Sequence, residues 1–174
     1  MRSRKELTSY LDKGIILDAD IASAFAKIER LSLLKRFLSH YQVFITPRIY
    51  EELMVALDFK FTFPLDIFSS FELLHPSDEE SERYRALMIK NRNFGRGELE
   101  AICICKCRGY VFSSMDKVAL KFAGVEGVKT LKIHSILRGF WKSGIQSRDE
   151  VIDIIRALEE KDKTRVRNID SIFK

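Results

Sequence analysis

Short apolar runs alternate along the chain with longer segments in which apolar residues recur at helical spacing. The runs predict five strands, at 15–17, 43–46, 71–74, 110–113 and near 128–131. The longer segments predict helices, at 4–12, 21–39, 47–57, 77–88, 99–107, 118–122, 133–141 and 151–158. Strands that alternate with helices predict an α/β fold. We expect a three-layer α/β/α sandwich around a mostly parallel sheet of about five strands.

The segment 58–70 interrupts this alternation. Phe59, Phe61 and Phe63 alternate there with polar residues, and Pro64 follows them. The pattern allows a small extended arm or a loop folded over the core. An exposed aromatic patch of this kind would mark a partner surface, whereas a core cover would bury the same rings.

The length of 174 residues fits a single domain, 1–174, with a core at about 14–158 and a charged helical tail at 159–174. No apolar run approaches the ~20 residues that a membrane span needs. The basic N-terminus lacks the apolar segment of a signal peptide, so we expect a cytoplasmic protein. The net charge of +5 is a mild bias toward polyanionic partners.

Three cysteines, Cys103, Cys105 and Cys107, lie in one predicted helix. Their number and spacing do not suit a zinc site. We expect all three to be small core residues of a protein in a reducing compartment.

Carboxylates follow two of the predicted strands. Asp18 and Asp20 come after the first strand, and Asp116 comes after the fourth, two residues beyond Ser114. Right-handed crossovers place these two strand ends on the same edge of a parallel sheet. Each aspartate also suits a helix N-cap. A buried carboxylate is costly unless it is neutralised, and a divalent cation at this edge would do so.

Two glutamates on predicted helices are further candidates. In the helix at 47–57, Glu51 points away from the apolar face, whereas Glu52 lies on the shoulder of that face. Glu98 begins a helix that is apolar nearly all round, after a turn with two glycines. Glu100, two residues further on, is expected to point elsewhere.

Four segments carry these acids: Leu-Asp-Ala-Asp at 17–20, Pro-Arg-Ile-Tyr-Glu-Glu-Leu at 47–53, Gly-Arg-Gly-Glu-Leu-Glu-Ala at 95–101 and Ser-Met-Asp-Lys-Val-Ala at 114–119. Their order and spacing resemble the four acidic motifs of PIN-domain ribonucleases over roughly residues 14–158. The resemblance implies a catalytic, metal-binding quartet of Asp18, Glu52, Glu98 and Asp116.

The same resemblance implies supporting residues around the quartet. Ser114 would hold the cluster by hydrogen bonding, and Thr130 falls where the family often has a hydroxyl. Asp20 occupies a position that is often small and polar in the family. Met115 replaces a second acid that the family often has.

From the acids and the resemblance together we expect an endoribonuclease that depends on Mg²⁺ or Mn²⁺. Four converging carboxylates repel one another unless hard cations lie between them, and such ions can activate water for attack on a phosphodiester. Arg96, Lys117 and Arg92 would steer the RNA backbone toward the acids, unless they are ordinary solubilising charges. The resemblance further implies a toxin with an antitoxin-like partner, and a homodimer or higher homo-oligomer.

Two alternatives stay open on the sequence. An Asp-x-Asp after a buried strand resembles haloacid-dehalogenase-type phosphatases, in which Asp18 would be the nucleophile and Asp20 the acid/base. Ile21 and Ala22 replace the glycine and hydroxyl residues expected there. The other alternative is a non-catalytic PIN-like module that binds RNA or protein, with the phenylalanines of 59–71 as its surface.

Overall fold

Five short strands pair in a single parallel sheet in the computed structural model, which describes residues 13–174. The helix predicted at 4–12 lies outside the described residues. The strands are β1 (Gly14–Leu17), β2 (Gln42–Ile45), β3 (Glu72–Leu73), β4 (Val111–Ser114) and β5 (Lys129–Lys132). The α/β prediction is confirmed, and each of the five predicted strands is present.

Nine α-helices connect and follow these strands within the described residues. They are α1 (Ala19–Lys27), α2 (Leu31–Phe37), α3 (Pro47–Asp58), α4 (Phe63–Ser70), α5 (Asp78–Lys90), α6 (Arg96–Arg108), α7 (Lys117–Val125), α8 (Ile133–Lys142) and α9 (Arg148–Ala157). The architecture is the three-layer α/β/α sandwich. Within residues 13–174, no helix combines the length and the apolar composition that crossing a bilayer requires.

The strand order in the sheet is β3-β2-β1-β4-β5. All four neighbouring pairs are parallel, with Ile16 of β1 opposite Phe44 of β2 and Phe112 of β4. The chain runs from β1 toward one side of the sheet and later returns to its other side, so the order reverses between β1 and β4. In open α/β sheets, ligands bind at such a reversal, beyond the carboxyl ends of the strands.

The central strand is buried on both faces, which explains its uninterrupted apolar sequence. Ile15, Ile16 and Leu17 are completely buried. Phe25 of α1 and Phe140 of α8 meet edge to face, with ring centroids 6.0 Å apart. This core fixes β1 and β4, and therefore the position of the turns that follow them.

Helix α6 is buried along most of its length and ends at Gly109, whose φ of +69° is the left-handed conformation that favours glycine. Cys103 and Cys105 are buried and free, as expected. The prediction is wrong for Cys107, which is exposed and lies 3.4 Å from a guanidinium nitrogen of Arg83. Cys107 lies on the face of α6 that turns to solvent.

The segment 58–70 is neither an extended arm nor a loop throughout, because α4 occupies its second half. Pro64 is in the first turn of α4, where a missing N–H costs nothing. Pro64 and Ile67 are buried, whereas Phe59 and Phe61 in the preceding turn are 71% and 57% exposed. The alternation of Phe with polar residues reflects this turn and the start of a helix, and not a strand.

The residues after α9 return to the core. A π-helical turn covers Leu158–Asp162 and a 3-10 helix covers Ile169–Phe173. Val166 and Ile172 are buried in the main core. Most of the charged side chains of this segment therefore face solvent, while single apolar side chains attach it to the domain.

Glu80 and Arg108 form a paired contact between α5 and the end of α6. The Glu80 carboxylate is buried and accepts hydrogen bonds from Nε and Nη2 of Arg108, each at 2.7 Å. It also closes a capping box by accepting the Ser77 N–H at 2.8 Å. The Arg108 guanidinium lowers the pKa of Glu80 below its ordinary value.

We expect Arg108→Ala to lower the free energy of unfolding by about 2–3 kcal/mol at neutral pH, because it leaves the buried Glu80 carboxylate without its cation. A carboxylate with a lowered pKa stabilises the fold above its unfolded pKa of ~4.3 and loses that contribution as the pH falls through its folded pKa. The difference should therefore shrink in acid. Urea unfolding of the variant and the wild type, at neutral pH and at acid pH, measures this difference in the free energy of unfolding.

Arg156→Ala is the control for this measurement. Arg156 pairs with Asp153, and both side chains are largely exposed. Its loss should cost well under ~1 kcal/mol. An Arg108→Ala variant no less stable than Arg156→Ala would contradict the assignment of the Glu80 contact.

Candidate active site

Asp18 lies directly after β1 and caps α1. Its Oδ1 accepts a hydrogen bond from the Ala19 N–H at 2.9 Å. Its own N–H donates to the Ser113 carbonyl of β4 at 2.9 Å, which extends the pairing of the two strands by one residue. The Asp18 side chain is buried. The strand pairing thus holds one buried carboxylate at the point where the strand order reverses.

The Asp20 carboxylate joins the turn after β1 to the turn after β4. Its Oδ2 accepts hydrogen bonds from the Ser114 hydroxyl at 3.1 Å, the Met115 N–H at 2.8 Å and the Asp116 N–H at 3.2 Å. Its Oδ1 accepts the Ile21 N–H. Both oxygens are engaged in this way, which gives Asp20 a role in joining the two turns and disfavours it as the acid/base of the phosphatase alternative.

Ser114 and Asp116 complete the second turn. Ser114 is buried, and its hydroxyl accepts the Asp116 N–H at 3.0 Å while it donates to Asp20. Asp116 is exposed, and its Oδ1 caps α7 by accepting the N–H groups of Val118 at 2.6 Å and Ala119 at 3.0 Å. These contacts fix the orientation of the Asp116 side chain at the mouth of the site.

Glu52 reaches the site from α3 and contacts the start of α6. Its Oε1 accepts the Gly97 N–H at 3.0 Å. A Cβ at position 97 would lie 2.8 Å from that Oε1 and 3.0 Å from Cγ1 of Ile49. Any larger residue at position 97 would therefore displace the Glu52 carboxylate and press on Ile49. Glu51, by contrast, forms an exposed ion pair with Arg48 at 2.7 Å, in agreement with its predicted position on the solvent face.

Glu98 lies in the first turn of α6 because that helix begins earlier than predicted, at Arg96. Its Oε2 accepts the Gly95 N–H at 3.0 Å, which satisfies one of the free donors at the helix start. Glu98 is partly buried. Besides burial, the charges of Asp116 and Asp20 raise the pKa of Glu98, so its carboxylate lies within electrostatic reach of the acids that follow β1 and β4.

Glu100 belongs to the same group of acids, although its predicted orientation was away from the site. It is buried, and its Oε2 accepts the N–H of Arg48 at the start of α3 at 2.9 Å. Its charge contributes to the raised pKa of Glu52. The sequence did contain a signal for this position, because an acid within a helix that is apolar nearly all round must itself be buried.

The pKa values show that the carboxylates influence one another. Burial raises the pKa of Asp18 well above its ordinary value, and the charges of Asp20 and Glu98 raise it further. Burial is also the largest cause of the raised pKa of Glu98, followed by the charges of Asp116, Asp20 and Glu52. Burial likewise raises the pKa of Asp20 and of Glu52. Acids from four separate elements therefore form one repulsive group.

These side chains do not form a ready-made metal cage. Among residues 13–174, no three acidic, histidine or cysteine side chains are grouped closely enough to ligate one ion as they stand. Asp18, Glu52, Glu98 and Asp116 instead accept backbone N–H groups through one oxygen each, whereas Asp20 uses both of its oxygens. Glu52 Oε2, Glu98 Oε1 and Asp116 Oδ2 accept no hydrogen bond from the described residues. An all-oxygen set with uncompensated charge fits a hard cation such as Mg²⁺ or Mn²⁺.

The remaining predicted residues, three cations and one threonine, are all exposed. Arg92 and Arg96 are exposed before and at the start of α6, and Lys117 is exposed at the start of α7. Thr130 is exposed in the middle of β5, opposite Phe112. Its side chain makes no hydrogen bond within residues 13–174, and the structure does not bring it to the carboxylates. Thr130 is two residues before the end of β5, whereas the acids lie beyond the carboxyl ends of the strands.

We expect Gly97→Ala to destabilise the fold by about 1–3 kcal/mol, because the added methyl displaces the Glu52 carboxylate and presses on Ile49. Gly124→Ala is the matched control. It is also a helical glycine, but a Cβ there meets nothing within 4 Å, so it should stabilise the fold by about 0.5–1 kcal/mol. Thermal unfolding of both variants tests the contact, and similar effects at the two positions would refute it.

We expect Asp18→Asn to stabilise the metal-free protein by about 0.5–2 kcal/mol at pH 8. Asparagine keeps the cap on α1 and removes one charge from the repulsive group. A carboxyl group with a raised pKa in the folded protein holds its proton more tightly there than in the unfolded chain. The stability of the wild type therefore falls as the pH rises through the pKa of the folded state. The advantage of the variant should disappear in acid. Unfolding in EDTA across this pH range measures it, and a variant less stable at pH 8 contradicts it.

The chain was compared with models of known protein families. The model described as a PIN domain, DUF3368, matches residues 14–169, which is most of the chain. The match runs from the start of β1 to the first residue of the 3-10 helix and includes every acid of the candidate site. A comparison with curated proteins finds no relative.

Proposed function

Because this chain belongs to the PIN-domain family, whose fold is of the nuclease type, we propose that it is an endoribonuclease that uses Mg²⁺ or Mn²⁺ to hydrolyse RNA phosphodiester bonds. One observation carries the proposal. Asp18, Glu52, Glu98 and Asp116 come from four elements far apart in sequence, and burial, reinforced by the charges of neighbouring acids, raises the pKa of Asp18, Glu52 and Glu98.

A repulsive acid group is a cost to the folded protein that a purely structural role does not explain. Two aspartates and two glutamates serve as caps or backbone acceptors here, but asparagine or serine would cap as well without the charge. Charged acids at this position are useful to the protein when a cation binds between them. The raised pKa values therefore support a site that functions in the metal-bound state.

The acids with an unused oxygen, Glu52, Glu98 and Asp116, would hold the cation together with the buried Asp18. When bound, the cation would supply a more acidic water and stabilise charge on the oxygens of the phosphodiester. Asp20 and Ser114 act as positioning residues, because their hydrogen bonds fix the turn that carries Asp116. Arg96, Lys117 and Arg92 provide exposed positive charge for the RNA backbone.

We expect Asp116→Asn and Glu52→Gln each to lower the rate of RNA cleavage by about 100-fold or more, since each removes a charged ligand but keeps the backbone contact. Glu51→Gln is the matched control for Glu52 on the same helix and should cleave like the wild type. Cleavage of a labelled RNA with Mn²⁺ or Mg²⁺, and its loss in EDTA, measures this. Wild-type rates in both variants would refute the catalytic assignment.

A second candidate function is the non-catalytic binding module. Phe59 and Phe61 are among the most exposed large apolar side chains of the described residues, and with Phe63 they line a groove of about 740 Å³ that also includes Glu52. Exposed aromatic side chains of this kind mark partner surfaces. Binding of RNA or protein without uptake of Mg²⁺ or Mn²⁺ would favour the module over the nuclease.

The toxin role is the narrower form of the nuclease proposal. A protein partner seated in the groove of Phe59 and Phe61 would cover Glu52 and so block the site, which is how an antitoxin-like protein would act. The same surface would serve a homodimer or higher homo-oligomer. Cleavage assays with and without a co-purified partner, and the mass of the isolated protein in solution, test both statements.

A further inference from the structure

A pocket lined by positive charge lies beside the acids, on the β5 side. Its volume is about 370 Å³, and Lys117, Lys132, His134 and Arg138 line it together with Asn168 and Ser171. No carboxylate lines it among residues 13–174. A concave surface with three permanent positive charges and no described acid is suited to an anion.

The pocket opens at the same edge of the sheet as the acids. Lys117 directly follows Asp116 in the chain. Lys132 is the last residue of β5 and lies opposite Ser114, the last residue of β4. The pocket is therefore one strand away from the turn that carries Asp116. A ligand that spans both features must be extended and must carry more than one negative charge.

The positive charges of the pocket are not neutralised by ion pairs within residues 13–174. Lys117, Lys132 and Arg138 form no ion pair with any acid of residues 13–174, whereas Lys27, Lys106 and Arg108 do. Arg138 donates to the Ser171 carbonyl, and the His134 ring donates through Nε2 to the Arg167 carbonyl at 2.6 Å. These two contacts hold the C-terminal segment in place as a wall of the pocket.

We infer that this pocket binds a phosphate group of the RNA strand next to the phosphodiester that lies at the acids. The inference rests on the proposed function and adds a contact between the protein and its RNA substrate. The acids on their own repel a polyanion, so an RNA strand needs compensating charge close to them. The pocket supplies that charge on the β5 side, and Arg96 supplies it on the α6 side. The strand then crosses the acids from α6 toward β5.

Binding of a short single-stranded oligoribonucleotide in EDTA tests the pocket without catalysis. Lys132→Gln should weaken binding by about two- to fivefold, as for an exposed ion pair. It should also reduce the slope of log K against log salt by about 0.7. Lys129→Gln is the matched control, because Lys129 is exposed on the same strand outside the pocket. Equal effects of the two substitutions, or none, would overturn the inference.

A phosphate replaced by a neutral methylphosphonate locates the contact. At one position along the oligoribonucleotide, the methylphosphonate should weaken binding to the wild type. The same substitution should leave binding to the Lys117→Gln, Lys132→Gln double variant unchanged. The same loss at every position in both proteins would overturn the inference. Inorganic phosphate that binds the wild type as tightly as the RNA does, and depends equally on Lys132, would assign the pocket to free phosphate and overturn the RNA contact.

Cleavage separates failure of the pocket from failure of the nuclease proposal. Lys132→Gln should raise KM and leave kcat near the wild-type value, because the contact is equally strong in the ground and transition states. A wild type that cleaves RNA, with an unchanged KM in Lys132→Gln, overturns the pocket alone. A wild type that binds RNA through Lys132 but cleaves none overturns the nuclease alone and supports the pocket.

Discussion

The hydrogen bonds of one carboxylate determine where the candidate site forms. Asp20 follows β1, yet its Oδ2 accepts donors from Ser114, Met115 and Asp116 in the turn after β4. The two turns lie more than ninety residues apart in the chain. Without this bridge, the β4 turn would lose three hydrogen bonds that join it to the turn after β1 and would keep its strand pairing, its own cap and the packing of Met115 against the core. The glutamates of the site lie next to these two turns. Their proximity to Asp18 and Asp116 therefore depends on the hydrogen bonds that join the turns.

The site combines good backbone contacts with poor electrostatics. Asp18, Glu98 and Asp116 each satisfy helix N-terminal N–H groups, which favour a nearby negative charge. Burial and mutual repulsion nevertheless raise the pKa of Asp18 and Glu98. The local backbone contacts thus favour the charged form of each acid separately, while burial and the proximity of the other acids disfavour it. This conflict between local and collective terms is typical of functional sites, where charge is retained at the expense of stability.

The sequence was sufficient for those parts of the site that depend on chain order and helical phase. Asp18 and Asp116 share an edge because parallel strands with right-handed crossovers align their ends. Glu52 lies on the shoulder of the apolar face of α3, where it is exposed but its carboxylate reaches the Gly97 N–H of α6. The helix at 63–70 was missed because its eight residues show too little periodicity. Glu100 was misplaced because its partner is the start of another helix, 52 residues away. The positively charged pocket joins residues from 117 to 171 and depends on contacts that no local pattern contains.

The two edges of the sheet have a consequence for how copies of this protein can associate. On one side the sheet ends with β3, which is only two residues long. On the other side it ends with β5, where three of four residues are exposed and both end residues are lysines. Short strands and lysine side chains discourage the addition of a strand from another molecule. Any assembly of this chain is therefore expected to use helices and loops of the described residues, and a fibril built on the native sheet is disfavoured from both sides.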